Sequence, residues 1–459
     1  RERTIAHPDV KGSGTGGARC ARHARQYAPG GGPVSLWHDG RVRPRGRRAG
    51  AGLSALALGL ALLAGCTDTE EAPEPTGGAT WERTAVLDPW LDAVSTSDVE
   101  AANVVVLGDS VSEGYGLSNH LERRWVDRLQ AGLRQRAGAP GCPTTPGGWH
   151  GTTSLVPADY RAQSLPHPRV GGRADPAPTL GPGGRGLTLR PGASVTWLVD
   201  ARSVDIGYRT RFAGGPLRVE IDGQVPADGI SVPTDADPSA ERKVWSSGDL
   251  GPGSHRVTVS NPQPATSSHF ATVTDLTPFR GDRGRCVHVL DASRSGVSAQ
   301  TIAQTPTYLK DSLSLDPDLV LVPLGFNDRR AGVRPADFGR SLDTLVRQAR
   351  SLGYEGPILL VGWFTPGTDG PDWSGYLRQM AARTDHEGVS FIDLSAVLPA
   401  ARPGSRYYID GLHPSADGQP LIASSLVEAL APEDEQDTPG SAGTGRDPAQ
   451  GPDESTRPS

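Results

Sequence analysis

Four consecutive aliphatic residues, Val104-Val105-Val106-Leu107, stand between polar neighbours. A run with no polar face predicts a strand buried on both sides, as in an open parallel sheet. Leu319-Val320-Leu321-Val322 has the same character, and Cys286 to Leu290 form a third such run. Over 118–137, Leu121, Trp125, Val126, Leu129 and Leu133 fall on one helical face, and Gly138 closes the helix. Further helices are predicted near 335–351, 374–386 and 417–430, alternating with strands near 357–363 and 389–393. Alternating units of this kind predict an α/β core, a parallel sheet with right-handed crossovers and helices on both faces.

Residues 145–285 follow a different period. Val204, Ile206 and Tyr208 alternate with polar residues, as do Leu217, Val219 and Ile221 before the Asp222-Gly223 turn, and Val257 and Val259 before Asn261-Pro262. With Ser194–Val199 and Phe270–Thr274, these positions predict several short antiparallel strands. The expectation is a small β-sandwich inserted into the α/β core.

Composition adds extensions at both ends. Gly 59 and Pro 41 together exceed a fifth of the 459 residues, so much of the length is expected to be loop or disorder. The net charge of −6 gives no reason to invoke nucleic acid. Arg41, Arg43, Arg45, Arg47 and Arg48 precede an apolar stretch from Leu53 to Ala64. It is shorter than the roughly 20 residues a membrane helix needs, but it has the dimensions of a signal-peptide core. The stretch ends in Leu63-Ala64-Gly65-Cys66, which resembles a bacterial lipobox. That resemblance implies a mature chain beginning at an acylated Cys66 and held at the cell surface by its lipid; a plain signal peptide with an incidental cysteine is the other reading. The Arg47-Arg48 pair leaves twin-arginine and general secretory export both open. Residues 1–40 do not fit ahead of such a signal, and Met380 is the single methionine, so the sequence as written is expected to begin upstream of the true start. On this reading 1–66 are upstream segment and signal peptide, 67–80 a disordered acidic tether, and 431–459 a disordered acidic tail.

The candidate chemistry lies where the buried runs end. A parallel strand delivers its next residues to the carboxyl edge of the sheet, where ligands bind. Gly108-Asp109-Ser110 follows the first run, and a serine there needs an adjacent base that is itself oriented by a third group. Asp410-Gly411-Leu412-His413 can supply both, from a turn in which Pro414 suits the first positions of the last helix. Gly325-Phe326-Asn327-Asp328 follows the second run, and the Asn327 amide can donate to an oxyanion. The small-residue loop Ser295-Gly296-Val297-Ser298-Ala299-Gln300-Thr301 offers backbone amides for the same purpose. Alone, such a serine is more often a cap and such a histidine a structural residue; the combination carries the reading. No Cys or His pair has metal-ligand spacing, and neither metal nor cofactor is expected.

Taken in order, these four segments resemble the blocks of the SGNH/GDSL hydrolase family. The resemblance implies a flavodoxin-like parallel sheet, the SGNH hydrolase fold, split into 81–144 and 286–430 around the insertion at 145–285. It implies Ser110 as nucleophile, His413 as base and acid, and Asp410 as its orienter. The oxyanion hole would be built from the Ser110 amide, Asn327 and the Gly block. In that block the best register places Ala299 where the family's donating glycine stands, with Gly296 the other candidate; alanine keeps the N–H and loses only the freedom to take positive φ. Modules beside family members often bind carbohydrate, and a lid without a ligand of its own is the alternative for 145–285.

Trp363, Trp373 and Arg329 are expected near the active-site edge. The aromatics would stack on sugar or line an acyl pocket, unless Trp363 is core, and Arg329 would meet an acidic substrate group or solvent. Cys142 and Cys286 flank the insertion and outside the cytoplasm would pair, two buried thiols being the alternative; Cys20 would lie outside the mature protein. The implied activity is that of a secreted or lipid-anchored serine esterase acting on O-acyl, especially acetyl, groups of carbohydrate. A lipase or phospholipase of the same family is one alternative, and a catalytically inactive carbohydrate-binding surface lipoprotein another.

Overall fold

The computed structural model describes residues 77–80, 85–118, 120–147, 168–229 and 240–431. The signal peptide, Cys66, most of the tether and the tail beyond Ala431 lie outside them.

The first part of the core contains α1 (Asp88–Ser95), β1 (Ala102–Val106), α2 (His120–Arg123) and α3 (Trp125–Ala137). Among the described residues nine antiparallel strands follow: β2 (Arg169–Gly171), β3 (Ala174–Ala177), β4 (Gly186–Leu189), β5 (Ser194–Asp200), β6 (Ser203–Arg209), β7 (Arg218–Ile221), β8 (Arg242–Ser246), β9 (Ser254–Ser260) and β10 (Ala271–Phe279). The core resumes with β11 (Val287–Asp291), α4 (Ala299–Ala303), α5 (Pro306–Leu313), β12 (Leu319–Val322), α6 (Phe326–Arg330) and α7 (Pro335–Ser351). It ends with β13 (Ile358–Gly362), α8 (Trp373–Ala381), β14 (Val389–Asp393) and α9 (Gly418–Leu430).

Strands β1 and β11 to β14 form one parallel sheet in the order β11-β1-β12-β13-β14. Val104, Val105, Val106 and Leu107 are buried completely, as an all-apolar strand covered on both faces must be. Helices α3 and α9 pack together, and the Trp90 indole of α1 donates to the Leu430 carbonyl at 2.9 Å. Helices α4, α5, α7 and α8 form the other packed group. With this strand order, the right-handed crossovers usual for parallel strands put the two groups on opposite faces of the sheet.

The antiparallel strands form two sheets, β3-β4-β10-β6-β8 and β2-β5-β9-β7. Along β5, Val195, Trp197 and Val199 point inward while Thr196 and Leu198 point outward, and Trp197 pairs with Val257 of β9. These residues share one apolar cluster with Leu189, Ile206 and Val273 of the other sheet. Each such large side chain contributes about 1.5–3 kcal/mol by leaving water.

Several expectations change at their edges. The helix expected over 118–137 breaks at Arg124, which is extended (φ −69°, ψ 151°) and fully buried, its guanidinium held by Asp127 and by Asp291 at 2.6 Å. The small-residue loop becomes helical at Ala299, and the last helix starts at Gly418. Pro414 lies outside that helix and bridges Tyr408 instead. Thr80, assigned to the tether, exchanges two 2.9 Å backbone bonds with Asp393 of β14. Cys142 and Cys286 are joined in a disulfide.

Candidate active site

The order of the parallel sheet locates the site. Chain direction across the sheet reverses beside β1, and in open α/β sheets the crevice for ligands opens at the carboxyl ends of the strands flanking that point. Ser110 follows β1, the loop 292–298 follows β11, and Asn327 follows β12. Gly108 lets these segments approach: its N–H donates to the Ser293 hydroxyl and its carbonyl accepts from the Arg294 N–H, both at 3.0 Å. A Cβ at that position would collide with the hydroxyls of Ser112 and Ser293.

His413 reaches the crevice from a loop beyond β14. That loop is fastened to the one after β13, through Gly367 N–H to the Gly411 carbonyl at 2.9 Å and Ala401 N–H to the Thr365 carbonyl at 2.8 Å. The Ser110 hydroxyl lies 2.9 Å from His413 Nε2, and His413 Nδ1 lies 2.8 Å from Asp410 Oδ2. Asp410 Oδ1 accepts from the amides of Leu412 and His413, each at 2.7 Å. Burial alone would raise the Asp410 carboxyl. The hydrogen bonds from the His413 ring and from the two amides outweigh it and hold the group down at about 2. The carboxylate is therefore charged near neutral pH, and it fixes the proton on Nδ1 so that Nε2 faces Ser110 as an acceptor. Tyr115, five residues beyond the serine, covers one side of the imidazole with ring centroids 4.3 Å apart.

Oxyanion donors are the next requirement. Asn327 Nδ2 donates to the Val297 carbonyl at 2.9 Å, which ties it to the Gly block, and more weakly to Asp109 Oδ2 at 3.4 Å; this second N–H is the one an oxyanion would take over. The register that assigned Ala299 as the backbone donor is corrected here. The Ala299 N–H donates to Asp328 Oδ2 at 2.9 Å and the Gln300 N–H to Asp328 Oδ1 at 3.2 Å. Asp328 thus caps the first turn of α4 from across the site, and its partner amides are spent on it. Among the described residues nothing accepts the N–H of Gly296 or of Ser110. Gly296 also has φ +80°, a conformation that favours glycine. Replacing Asn327 with alanine is expected to lower kcat about 10²–10³-fold with little change in KM, as loss of one oxyanion donor does. Steady-state kinetics on a soluble ester check this, and an unchanged kcat would remove Asn327 from the hole.

Asp109, between glycine and nucleophile, is buried, and its Oδ1 accepts the Val111 N–H at 2.9 Å. Burial pushes the carboxyl up to about 7; the Asp328 carboxylate acts the same way, while the Val111 amide and the His413 ring favour the charged form. A folded-state pKa above the unfolded value means that the fold keeps a proton the unfolded chain releases near 4. The Asp109 contribution to stability is therefore full below about 4, declines as pH rises to about 7, and is flat above. Over those three units it amounts to at most about 4 kcal/mol. Urea midpoints at pH 4.5 and 8 should converge or cross between wild type and Asp109→Asn. A pH-independent difference would mean that Asp109 is ionised throughout.

Sequence and structure comparisons bear on this geometry. The sequence model of the GDSL-like lipase/acylhydrolase family matches residues 267–421. The esterase TesA of Pseudomonas aeruginosa is 28% identical over 157 residues, covering 33% of this chain and 73% of TesA. Residues 267–421 thus carry a GDSL-like lipase/acylhydrolase domain. It is an ester hydrolase. Its fold is also that of a solved peptidoglycan O-acetylesterase, with a TM-score of 0.56 and 17% identity over 77% of this chain and 98% of the other.

In this hydrolase the three residues expected to line the substrate site are structural. Trp363 is fully buried and donates its indole N–H to the Pro323 carbonyl at 3.3 Å. Trp373 is 3% exposed, donates to the Trp363 carbonyl at 2.8 Å and stacks on Tyr376. A tryptophan at a strand end is drawn into the core when its indole finds a carbonyl there. Arg329 is 7% exposed, with its guanidinium donating to the carbonyls of Thr368, Asp369, Gly370 and Pro371, so it staples that loop. Sequence reasoning missed Glu113, Arg185 and the capping role of Asp328, whose partners are far along the chain. Among the described residues, no group of three or more His, Cys, Asp or Glu side chains is placed to hold a metal ion.

Proposed function

We propose that this enzyme is an exported serine esterase that removes O-acyl groups, chiefly acetyl, from polysaccharide. The observation that carries the mechanism is the hydrogen-bonded series Ser110 Oγ, His413 Nε2, His413 Nδ1 and Asp410 Oδ2, with links of 2.9 and 2.8 Å. Ser110 Oγ attacks the ester carbonyl as its proton passes to His413 Nε2. The oxyanion forms facing the N–H groups of Ser110, Gly296 and Asn327. Its collapse expels the sugar alkoxide, which takes the proton from His413, and leaves Ser110 acylated. Water, activated by the same nitrogen, then releases the acid.

Two observations support the substrate and the compartment. The fold likeness to a peptidoglycan O-acetylesterase extends over 77% of this chain, and we read residues 145–285, with their two antiparallel sheets, as an inserted module that meets the carbohydrate. The Cys142–Cys286 disulfide supports an oxidising compartment, in keeping with lipid anchoring through Cys66. The test is acetate release from O-acetylated peptidoglycan and acetylated xylan, beside hydrolysis of p-nitrophenyl acetate and palmitate. Release of acetate from a polysaccharide is expected; activity confined to the palmitate ester would establish a lipase instead. Cys66→Ala should move the protein from the membrane fraction to the medium, and an unchanged membrane fraction would exclude the anchor.

A further inference from the structure

Glu113 stands three residues beyond Ser110, in the turn that follows it, and is buried. Its Oε2 accepts from the Ser295 N–H at 2.8 Å and also from the Ser295 hydroxyl. Ser295 immediately precedes Gly296. The other carboxylate oxygen is ion-paired with Arg185, and the side chains of the pair are 3% and 2% exposed. Arg185 belongs to the antiparallel-sheet region, one residue ahead of β4, and its guanidinium also donates to the Ser293 carbonyl at 2.5 Å. One cation from outside the parallel-sheet core thus touches both the carboxylate that grips Ser295 and the carbonyl two residues before it. The adjoining chain holds the same place: Arg294 donates to the Pro178 carbonyl at 3.1 Å, and the Gly181 N–H to Asp311 at 2.7 Å.

We propose that Arg185 is a positioning residue for the oxyanion hole, fixing the backbone at Ser295–Val297 through Glu113 and Ser293. The inference rests on the reading that Gly296 and Asn327 receive the oxyanion. A donor of this kind acts only when held within about half an ångström of its productive place. Gly296, with φ +80° and no atom within 4 Å of where a Cβ would stand, has no packing of its own to hold it. The bonds to its neighbours do that work: Ser295 to Glu113, Val297 to Asn327, and Ser293 to Arg185. Without Arg185 the Glu113 carboxylate would remain buried without this cation. Moving toward water relieves that charge and takes Ser295 with it. The antiparallel region is on this account part of the catalytic apparatus.

The test compares the full-length wild type with Arg185→Met, with Arg185→Met combined with Glu113→Gln, and with Lys310→Ala. The last removes an exposed ion pair with Glu241 that also joins the two regions and should leave kcat unchanged. Arg185→Met is expected to lower kcat on p-nitrophenyl acetate by about 10–100-fold with KM within about threefold, part of the effect of losing a donor outright. The double variant should recover most of kcat, because a neutral amide still accepts from Ser295 and needs no cation. Amide hydrogen exchange over 293–300 should quicken about tenfold in Arg185→Met and not in Lys310→Ala. A folded Arg185→Met with wild-type kcat and wild-type exchange overturns the proposal, as does a double variant no better than the single. Should Arg185→Met not fold, Arg185→Lys keeps the charge but replaces the rigid planar guanidinium with a flexible ammonium, and is expected to cost kcat about 3–10-fold. Absence of Ser110-dependent hydrolysis in wild type would sink the mechanistic reading instead, and the exchange experiment would still decide whether Arg185 holds the loop.

Discussion

Ser110→Ala is expected to reduce kcat/KM for ester hydrolysis by at least about 10⁴-fold, the largest single effect of any substitution in this protein. The serine hydroxyl is the group to which His413 Nε2 is bonded, and no other hydroxyl is placed at that nitrogen among the described residues. Its removal takes away the nucleophile and leaves only binding and the oxyanion donors. Asp410→Asn should come close to it, because an amide cannot hold the proton on His413 Nδ1 as a carboxylate does, and the imidazole loses the tautomer that accepts from Ser110. The measurement is p-nitrophenyl acetate hydrolysis by folded wild type and variants at pH 7 to 8, with matched circular dichroism. Substantial activity in Ser110→Ala would point to another nucleophile and remove the central assignment.

Breaking the Cys142–Cys286 disulfide is expected to cost about 4–5 kcal/mol of stability. The cysteines are separated by 144 positions, so the bridge closes a very long loop in the unfolded chain, and its constraint on that chain grows with loop length. Both residues are buried together with Ala139, at the two points where the chain leaves and re-enters the parallel-sheet core. Cys142→Ala with Cys286→Ala keeps the packing apolar and isolates the cross-link. Guanidinium midpoints should fall markedly, and wild type under strong reductant should match the double variant. A loss below about 1 kcal/mol would mean that the unfolded chain is already compact across this region.

Much of this protein can be read along the chain. The runs at 104–107 and 319–322 are strands because four adjacent aliphatic side chains have no polar face to offer water, a local property that needs no knowledge of the partner strands. Helix α7, expected near 335–351, spans Pro335–Ser351 because its apolar positions repeat at 3.6 residues over many turns. The positions of Ser110 and Asn327 could be read as well, since a buried strand dictates which residue arrives next at its carboxyl edge, whereas Asp410 and His413 were legible only from their spacing within one turn. Helix edges were less visible: α3 starts at Trp125 because Arg124 turns aside to meet Asp291, far ahead in the chain.

The tertiary structure alone decided which amides and cations serve the site. Ala299 and Gly296 look alike as backbone donors in the sequence, and only the approach of Asp328 occupies one and leaves the other open. Trp363, Trp373 and Arg329 have the composition of a substrate wall, yet nearby carbonyls draw all three into the structure. Arg185 carries no signal of its own, because its meaning lies in Glu113 and Ser293, brought beside it by the fold. Periodicity and block order are set by neighbours in the chain and survive in one dimension; hydrogen-bond partners are set by neighbours in space, and only the folded backbone brings those together.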